Sequence, residues 1–416
     1  MGIDVEATCT PRVEQKAVIA GNKSSSYGEA SEHLQALAEI TIGEKRLTRI
    51  VQRAGKERVS QRECQLQAYE NLPIPEQKKV PSDALEVPWD NRAAAVFLDG
   101  GRAQLRDERW GQEQQSGEKK HRWWRESKVA LVATLASQAY ENDPLPEVPA
   151  SLLDPLWLVP KLNEIKAAKG GEGAATQVEV TGVLADGPAA SEAENAHDSW
   201  SPPPIIRSVV ATFHPYEHLG RLMKAEAYHR GFAGASRKAF VGDGLSHNWT
   251  VHQKHFSDYT PITDLMHALS YVYQAAKHAT ADMEACWQLC KHWITLTWQG
   301  DVGKIIEEID QRIEATDEPA ALEKLRESRR YLGNNQDRMN YAEYRTRGLP
   351  ITTALMESTV KRINRRIKGT EKFWGPTAEP QLQLCADALS ESDRLDKYWT
   401  ERAETRTGRR KSRTTT

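Results

Sequence analysis

Two aspartates in this chain sit in matching surroundings. Asp99 follows the apolar run Ala93-Ala94-Ala95-Val96-Phe97-Leu98 and precedes Gly100-Gly101, while Asp243 follows Ala239-Phe240-Val241-Gly242 and precedes Gly244. Each run reads as a buried strand that delivers its acid at the C-terminal end, the edge where α/β folds place ligands. A lone acid there is more often a turn or cap residue, but two in one sheet point to function, because a buried carboxylate needs a partner or a cation. Glu357 adds a third, one position beyond Met356 on a late helix whose inner stripe is Met356, Val360, Ile363 and Ile367. Three converging carboxylates repel unless a divalent ion neutralises them, and hard oxygen ligands select Mg²⁺ or Mn²⁺. Two such ions about 3.5–4 Å apart activate an attacking oxygen and stabilise the leaving one during displacement at phosphorus, without a protein nucleophile. The helix of Glu357 is also basic: Lys361, Arg362, Arg365, Arg366, Lys368 and Lys372 stand against the single Glu371. That field suits a phosphodiester backbone, with a salt-bridged surface helix as the plainer alternative.

The elements that must hold these acids follow a strand, strand, strand, helix, strand order. The run 93–98 is followed by a charged, Trp-bearing loop and a second run, Val129 to Leu135, which together read as a hairpin. A third strand spans Ile205 to Phe213, then comes a helix carrying Leu219, Leu222, Met223 and Ala227, and a fourth strand at 239–241. Residues 259 to 263 read as a short fifth strand before Asp264-Leu265-Met266-His267 opens a helix. From 280 to 345 the pattern is helical, with Trp287, Trp293 and Trp298 among aliphatic residues.

The first 80 residues read as helices. Thr41 and Glu44 offer a capping box, and Lys45, Arg46, Arg49, Arg53, Lys56, Arg58 and Arg62 outweigh Glu44, Glu57 and Glu63. The pattern fits a helix-turn-helix whose Arg46, Arg49 and Arg53 face DNA phosphates, or an ordinary helical hairpin with a solvated charged face. Pro73, Pro75, Pro81 and Pro88 mark a linker.

Composition sets outer bounds. The chain has 416 residues, net charge -2 from 56 Lys and Arg against 58 Asp and Glu, and 39% hydrophobic residues. The near-neutral total is a cancellation: residues 358–416 carry 14 basic and 8 acidic residues, whereas 137–200 carry 3 basic and 11 acidic. The latter stretch, rich in Pro, Gly, Ala and Glu, reads as a disordered acidic insertion. No run approaches a membrane span, and the acidic start does not resemble a signal peptide. Five cysteines, odd in number, fit reduced thiols and a cytoplasmic location. Cys286, Cys290 and His292, and likewise His247, His252 and His255, have superficially ligand-like spacing, but neither set yields a zinc site.

Taken together, Phe97-Leu98-Asp99-Gly100-Gly101, Phe240-Val241-Gly242-Asp243-Gly244, Asp264-Leu265-Met266-His267, Trp298-Gln299-Gly300-Asp301-Val302 and Leu349-Pro350-Ile351 through Glu357 to Gly369 resemble DDE transposases of bacterial insertion sequences. The likeness is closest to the ISKra-type group and covers about residues 90 to 375. It implies an α/β fold: an RNase H-like mixed sheet with flanking helices, an all-α insertion and an N-terminal helical domain. The corresponding division is 1–80 helical, 90–137 and 205–279 as two halves of the core, 138–204 as the disordered insertion, 280–346 as the helical insertion, 347–400 as core helices with Glu357, and 401–416 as a disordered basic tail. The resemblance further implies that Asp99, Asp243 and Glu357 are the metal-binding catalytic acids, with Asp264 and His267 supporting the site. Trp298 occupies the place of an aromatic that stacks on an unpaired base, although core packing suits its neighbours. Thr352-Thr353-Ala354 departs from the Gly-Ser-Gly found there in many relatives. The function implied is Mg²⁺- or Mn²⁺-dependent cleavage and strand transfer of double-stranded DNA by a homodimer or higher oligomer. A non-catalytic DNA-binding derivative and a structure-selective nuclease on the same fold are the alternatives.

Overall fold

The sheet explains why 93–98 is apolar at every position. In the computed structural model, which describes residues 9–84, 88–106, 123–169, 201–369, 371–391 and 394–413, this run lies in the central strand β1 (Arg92–Leu105). Ala93, Ala95 and Phe97 pack with Val129, Leu131 and Val241 on one face, while Ala94, Val96 and Leu98 pack with Ala130, Val132 and Phe240 on the other. Burial on both faces removes the alternation that marks a half-exposed strand. Phe97 and Phe240 are fully buried, and each such side chain contributes about 1.5–3 kcal/mol by leaving water.

Strands β2 (Trp124–Ala136), β3 (Pro204–Thr212), β4 (Lys238–Gly242), β5 (Thr260–Thr263) and the two-residue β6 (Phe373–Trp374) complete a mixed, open, six-stranded sheet. Its order is β3-β2-β1-β4-β5, with β6 pairing the far end of β1. The first three strands run antiparallel, and β4 and β5 run parallel to β1. The chain is a mixed α/β protein with helices on both faces.

Helices α1 (Pro11–Lys23), α2 (Tyr27–Ala38) and the 27-residue α3 (Glu44–Glu70) form the N-terminal group, and the short α4 (Ile74–Gln77) follows. Then come α5 (Pro155–Lys169), α6 (Tyr216–His229), α7 (Ser246–His255), α8 (Leu265–Ala279), α9 (Met283–Gln299), α10 (Val302–Glu314), α11 (Pro319–Asn335) and α12 (Tyr341–Thr346). The last three are α13 (Ala354–Ile367), α14 (Ala378–Leu389) and α15 (Arg394–Arg413).

Four expectations from the sequence change. β1 does not stop at Asp99: Gly100, Gly101 and Arg102 pair with Lys128, Ser127 and Glu126, so the ladder runs on through a stretch with no apolar signal. The insertion expected to be disordered is ordered over 138–169, where Leu152, Leu158 and Leu162 enter the main core. Arg345 pairs with Asp143 and anchors this segment to the helical region. Residues 170–200 lie outside the described residues, as do 1–8 and 414–416. The tail expected to be disordered continues α15 to Arg413.

The fourth change concerns the N-terminal helices, which do not stand as a separate domain. α3 packs along α14, close enough that a Cβ on Gly55 would lie 2.6 Å from the Pro380 carbonyl oxygen. Buried Arg58 pairs with Asp387 at 2.9 Å, and Arg62 pairs with Glu379 at 2.9 Å. The expected capping box is absent, since Gly43 is the N-cap of α3 and Thr41 instead donates to Gln35.

Candidate active site

Sheet register brings the two aspartates to one level. The last paired residues of β1 and β4 are Phe97 and Val241, and each acid stands two positions further on. Asp99 projects from the same face as Phe97, with Gly100 N–H donating to its Oδ1 at 2.7 Å. Asp243 is buried, and its Oδ1 accepts from Asn248 Nδ2 at 2.7 Å and Leu245 N at 3.1 Å. The end of β5 adds Asp264, whose backbone N–H donates to the Gly242 carbonyl.

Asp264 is fully buried and works as a junction. It caps α8 by accepting from His267 N at 2.8 Å, takes His267 Nδ1 at 2.7 Å, and accepts from Thr353 N at 2.6 Å through its other oxygen. Burial alone would raise its pKa, but hydrogen bonds from His267 and Thr353 outweigh that and hold it below the usual carboxylate range. The contact with Thr353 uses its backbone N–H, so the junction makes no demand on that side chain. Leu265 N–H to Ile351 O closes the same joint.

Thr353 is the N-cap of α13, which places Glu357 in the first turn, where helix N–H groups favour negative charge. α13 lies against β1. The close approach depends on Gly101, since a Cβ there would stand 2.6 Å from Asn364 Oδ1. Glu357 is half-buried, and among the described residues no donor or cation bonds its carboxylate. Burial, then the charge of Asp264 and that of Asp99, push it up to about 7, against the opposing pull of His267 and Lys361. Asp99 is pushed up to about 6, mainly by burial and also by Asp243 and Asp264, with Gly100 N–H and His267 opposing.

These groups share one electrostatic neighbourhood, yet they do not close onto a point. Among the described residues, no three His, Cys, Asp or Glu side chains stand in ligand geometry for one ion. The expected convergence of Asp99, Asp243 and Glu357 on a metal-sized gap therefore meets a looser arrangement. The donor set still fits a hard divalent cation: all oxygen, clustered at one sheet edge, with two members driven toward protonation by mutual repulsion and burial.

The basic residues divide. Lys361, Arg362, Arg365 and Lys368 are exposed on α13, where Lys361 Nζ meets Glu164 of α5 at 3.0 Å. Arg366 is buried: it donates to Gly21 O at 2.7 Å and its guanidinium lies over Tyr27, so it fastens the N-terminal helices and does not face DNA. Arg46 and Arg49 are exposed on α3, whereas Arg53 is bound to the buried Glu14 at 2.5 Å. Trp298 is 1% exposed, donates to Leu145 O at 3.0 Å, and is covered by the Arg345 guanidinium 4.0 Å from its ring centre. Its setting is core packing, with no face open to a base. Cys290 is buried and its thiol is pushed up to about 12, and His292 pairs with Glu308 at 2.9 Å.

Beside the acids lies a cluster of which the sequence pattern marks only His247. Tyr216 O–H donates to Glu126 Oε1 at 2.7 Å, His247 stacks on Tyr216 at 4.0 Å, and Lys128 Nζ lies 5.1 Å from the same ring. Burial and then Glu126 raise the Tyr216 phenol, with smaller effects from Asp243 and Asp99. The four residues come from β2, α6 and α7, and no spacing within one element connects them.

No protein-family model matches the chain. No curated protein matches it significantly either.

Proposed function

We propose that this chain is a metal-dependent DNA phosphodiester transferase of the DDE transposase kind, built on an RNase H-like core. The observation that carries the reading is the equal register of Asp99 and Asp243 beyond the Phe97–Val241 pair, faced by a helix whose Glu357 has no bonded protein partner among the described residues. Support for the core comes from the order β3-β2-β1-β4-β5, three antiparallel strands followed by two parallel ones. Asp99, Asp243 and Glu357 would hold Mg²⁺ or Mn²⁺, which supplies charge neutralisation and an activated oxygen for displacement at phosphorus. Asp264 fixes the His267 ring by bonding Nδ1, and ties the α13 start to the same strand end, so it sets both the imidazole and Glu357. Exposed Lys361, Arg362, Arg365 and Lys368 supply cations for the DNA backbone along α13. Cytoplasmic, DNA-bound work as a homodimer or higher oligomer accords with the joining of two DNA ends. Among the described residues no helix is long and apolar enough to cross a membrane.

The test is nicking of supercoiled plasmid and joining of a 3′-hydroxyl oligonucleotide to it, with Mg²⁺ or Mn²⁺, by the wild-type chain and Asp99→Asn. The reading expects both activities in the wild type and neither in the variant. Undiminished activity in the variant overturns it. Nicking without joining would instead mark a nuclease, and binding without either would mark a DNA-binding derivative.

A further inference from the structure

A groove of about 500 Å³ opens at Gly244, the residue after the second acid. Trp249, Tyr271, Tyr331, Arg330 and Arg338 are among the residues that line it. Tyr271 and Tyr331 stack with centroids 3.7 Å apart, and Tyr331 O–H donates to the Asp243 carbonyl at 2.8 Å, so this part of the lining is rigid and joined to the acid's own backbone. Gly244 has φ +86°, and a Cβ there would lie 2.6 Å from the Tyr331 hydroxyl. The backbone must turn here without a side chain, which keeps the groove continuous with the acid edge.

Charge separates the two groove arginines from those on the neighbouring helices. Arg312, Arg329 and Arg347 on neighbouring helices each meet a carboxylate within 4.0 Å. Among the described residues, Arg330 and Arg338 meet none. Arg338 is held over Trp249 at 4.5 Å and donates to the Asn334 carbonyl at 3.0 Å. Glu327 is the one acid of the lining, and Lys324 pairs with it at 2.9 Å. Trp249 and Tyr331 are buried, and Lys166 lies 3.3 Å over the Tyr271 ring, so the aromatic residues shape the groove and the two guanidiniums, with donors to spare, are what recognises phosphate. Its volume admits a nucleotide and excludes a duplex.

We propose that this groove binds the phosphodiester backbone of a single DNA strand beside the acid edge, with Arg330 and Arg338 as its phosphate contacts. The assignment rests on the proposed DNA reading and adds a strand-specific subsite to it.

The test is fluorescence anisotropy with the full chain in EDTA, so that binding is read without cleavage. The probes are a blunt duplex and the same duplex with a short single-stranded 3′ overhang. Arg330→Gln and Arg338→Gln should each weaken overhang binding by roughly three- to tenfold and lower its salt slope by about 1, leaving the blunt duplex unchanged. Arg329→Gln, whose guanidinium pairs with Asp310, should behave as wild type. Unchanged overhang binding in both groove variants overturns the proposal, as does an equal loss on the blunt duplex. Thermal melts of each variant show whether the fold is retained, and Arg338→Lys tests the charge separately from the stack on Trp249. If Asp99→Asn abolishes cleavage while the groove variants bind normally, the subsite fails and the catalytic reading stands. If the wild type binds overhangs through the groove yet never cleaves, the reverse holds.

Discussion

Carboxylates are treated in opposite ways at two ends of this molecule. Where the N-terminal helices meet α14 and α15, Glu14 is held by Arg53 and Arg402, Asp387 by Arg58, and Glu379 by Arg62, so each buried or half-buried acid has its own guanidinium. Beside the ends of β4 and β5 stand Asp99 within β1, Asp243, Asp264 and the Glu357 of α13, and among the described residues no arginine or lysine is bonded to Asp99 or Glu357. The same residue types are spent on cohesion in one region and left in mutual repulsion in the other. An acid deprived of a protein cation at such a strand level is held ready for one from solution.

The contrast can be broken most severely at the acid edge. Asp99→Asn should lower metal-dependent strand cleavage on the order of 10³-fold or more while leaving the melting temperature equal or higher, as measured by nicking rate and calorimetry. At the helical clasp the same kind of change should act only on stability. Asp387→Asn leaves the Arg58 guanidinium buried without its counter-charge and should cost about 3–5 kcal/mol in denaturant unfolding.

A third, smaller effect is pH dependence without metal. Asp99 at about 6 and Glu357 at about 7 lie above their ordinary values, so the folded chain holds protons that the unfolded chain releases. Stability from these groups is thus greatest below about pH 4 and declines as pH rises to about 7. The combined loss should be about 1–3 kcal/mol after allowing for the partial exposure of Glu357. Mg²⁺ at pH 8 should restore it, and Asp99→Asn or Glu357→Gln should flatten the profile; a rise in metal-free stability across that window would contradict the repulsion described. The smallest effect belongs to the exposed face of α13: Arg362→Ala and Arg365→Ala should each lower the salt slope of DNA binding by about 1, with Arg366→Ala acting on melting temperature instead.

Much of the sheet was legible because burial on both faces writes continuous apolar runs, as at 93–98 and 129–135. The ends were not, since the pairing of Gly100 and Gly101 is backbone chemistry that leaves no pattern in side chains. Asp99 and Asp243 stood out through their position after such runs, and Glu357 through its place beside an amphipathic stripe. The burial of Arg366 leaves no local pattern, because its partner, the Gly21 carbonyl, lies 345 residues away. In the insertion a strongly acidic stretch dominates the composition and hides Leu152, Leu158 and Leu162, which enter the core. Arg330 and Arg338 gave no signal at all, since being without a carboxylate is a property of the folded neighbourhood.

The clasp between α1, α3 and α15 also sets a schedule. Glu14 leaves the ribosome 388 residues before its partner Arg402, a wait of roughly 20–80 s at ordinary rates of synthesis. Over that interval the acid, and the apolar faces of α1 and α3 that Tyr398 and Trp399 later cover, are left to water or to a chaperone. The N-terminal helices, made long before α15, are completed only when α15 arrives.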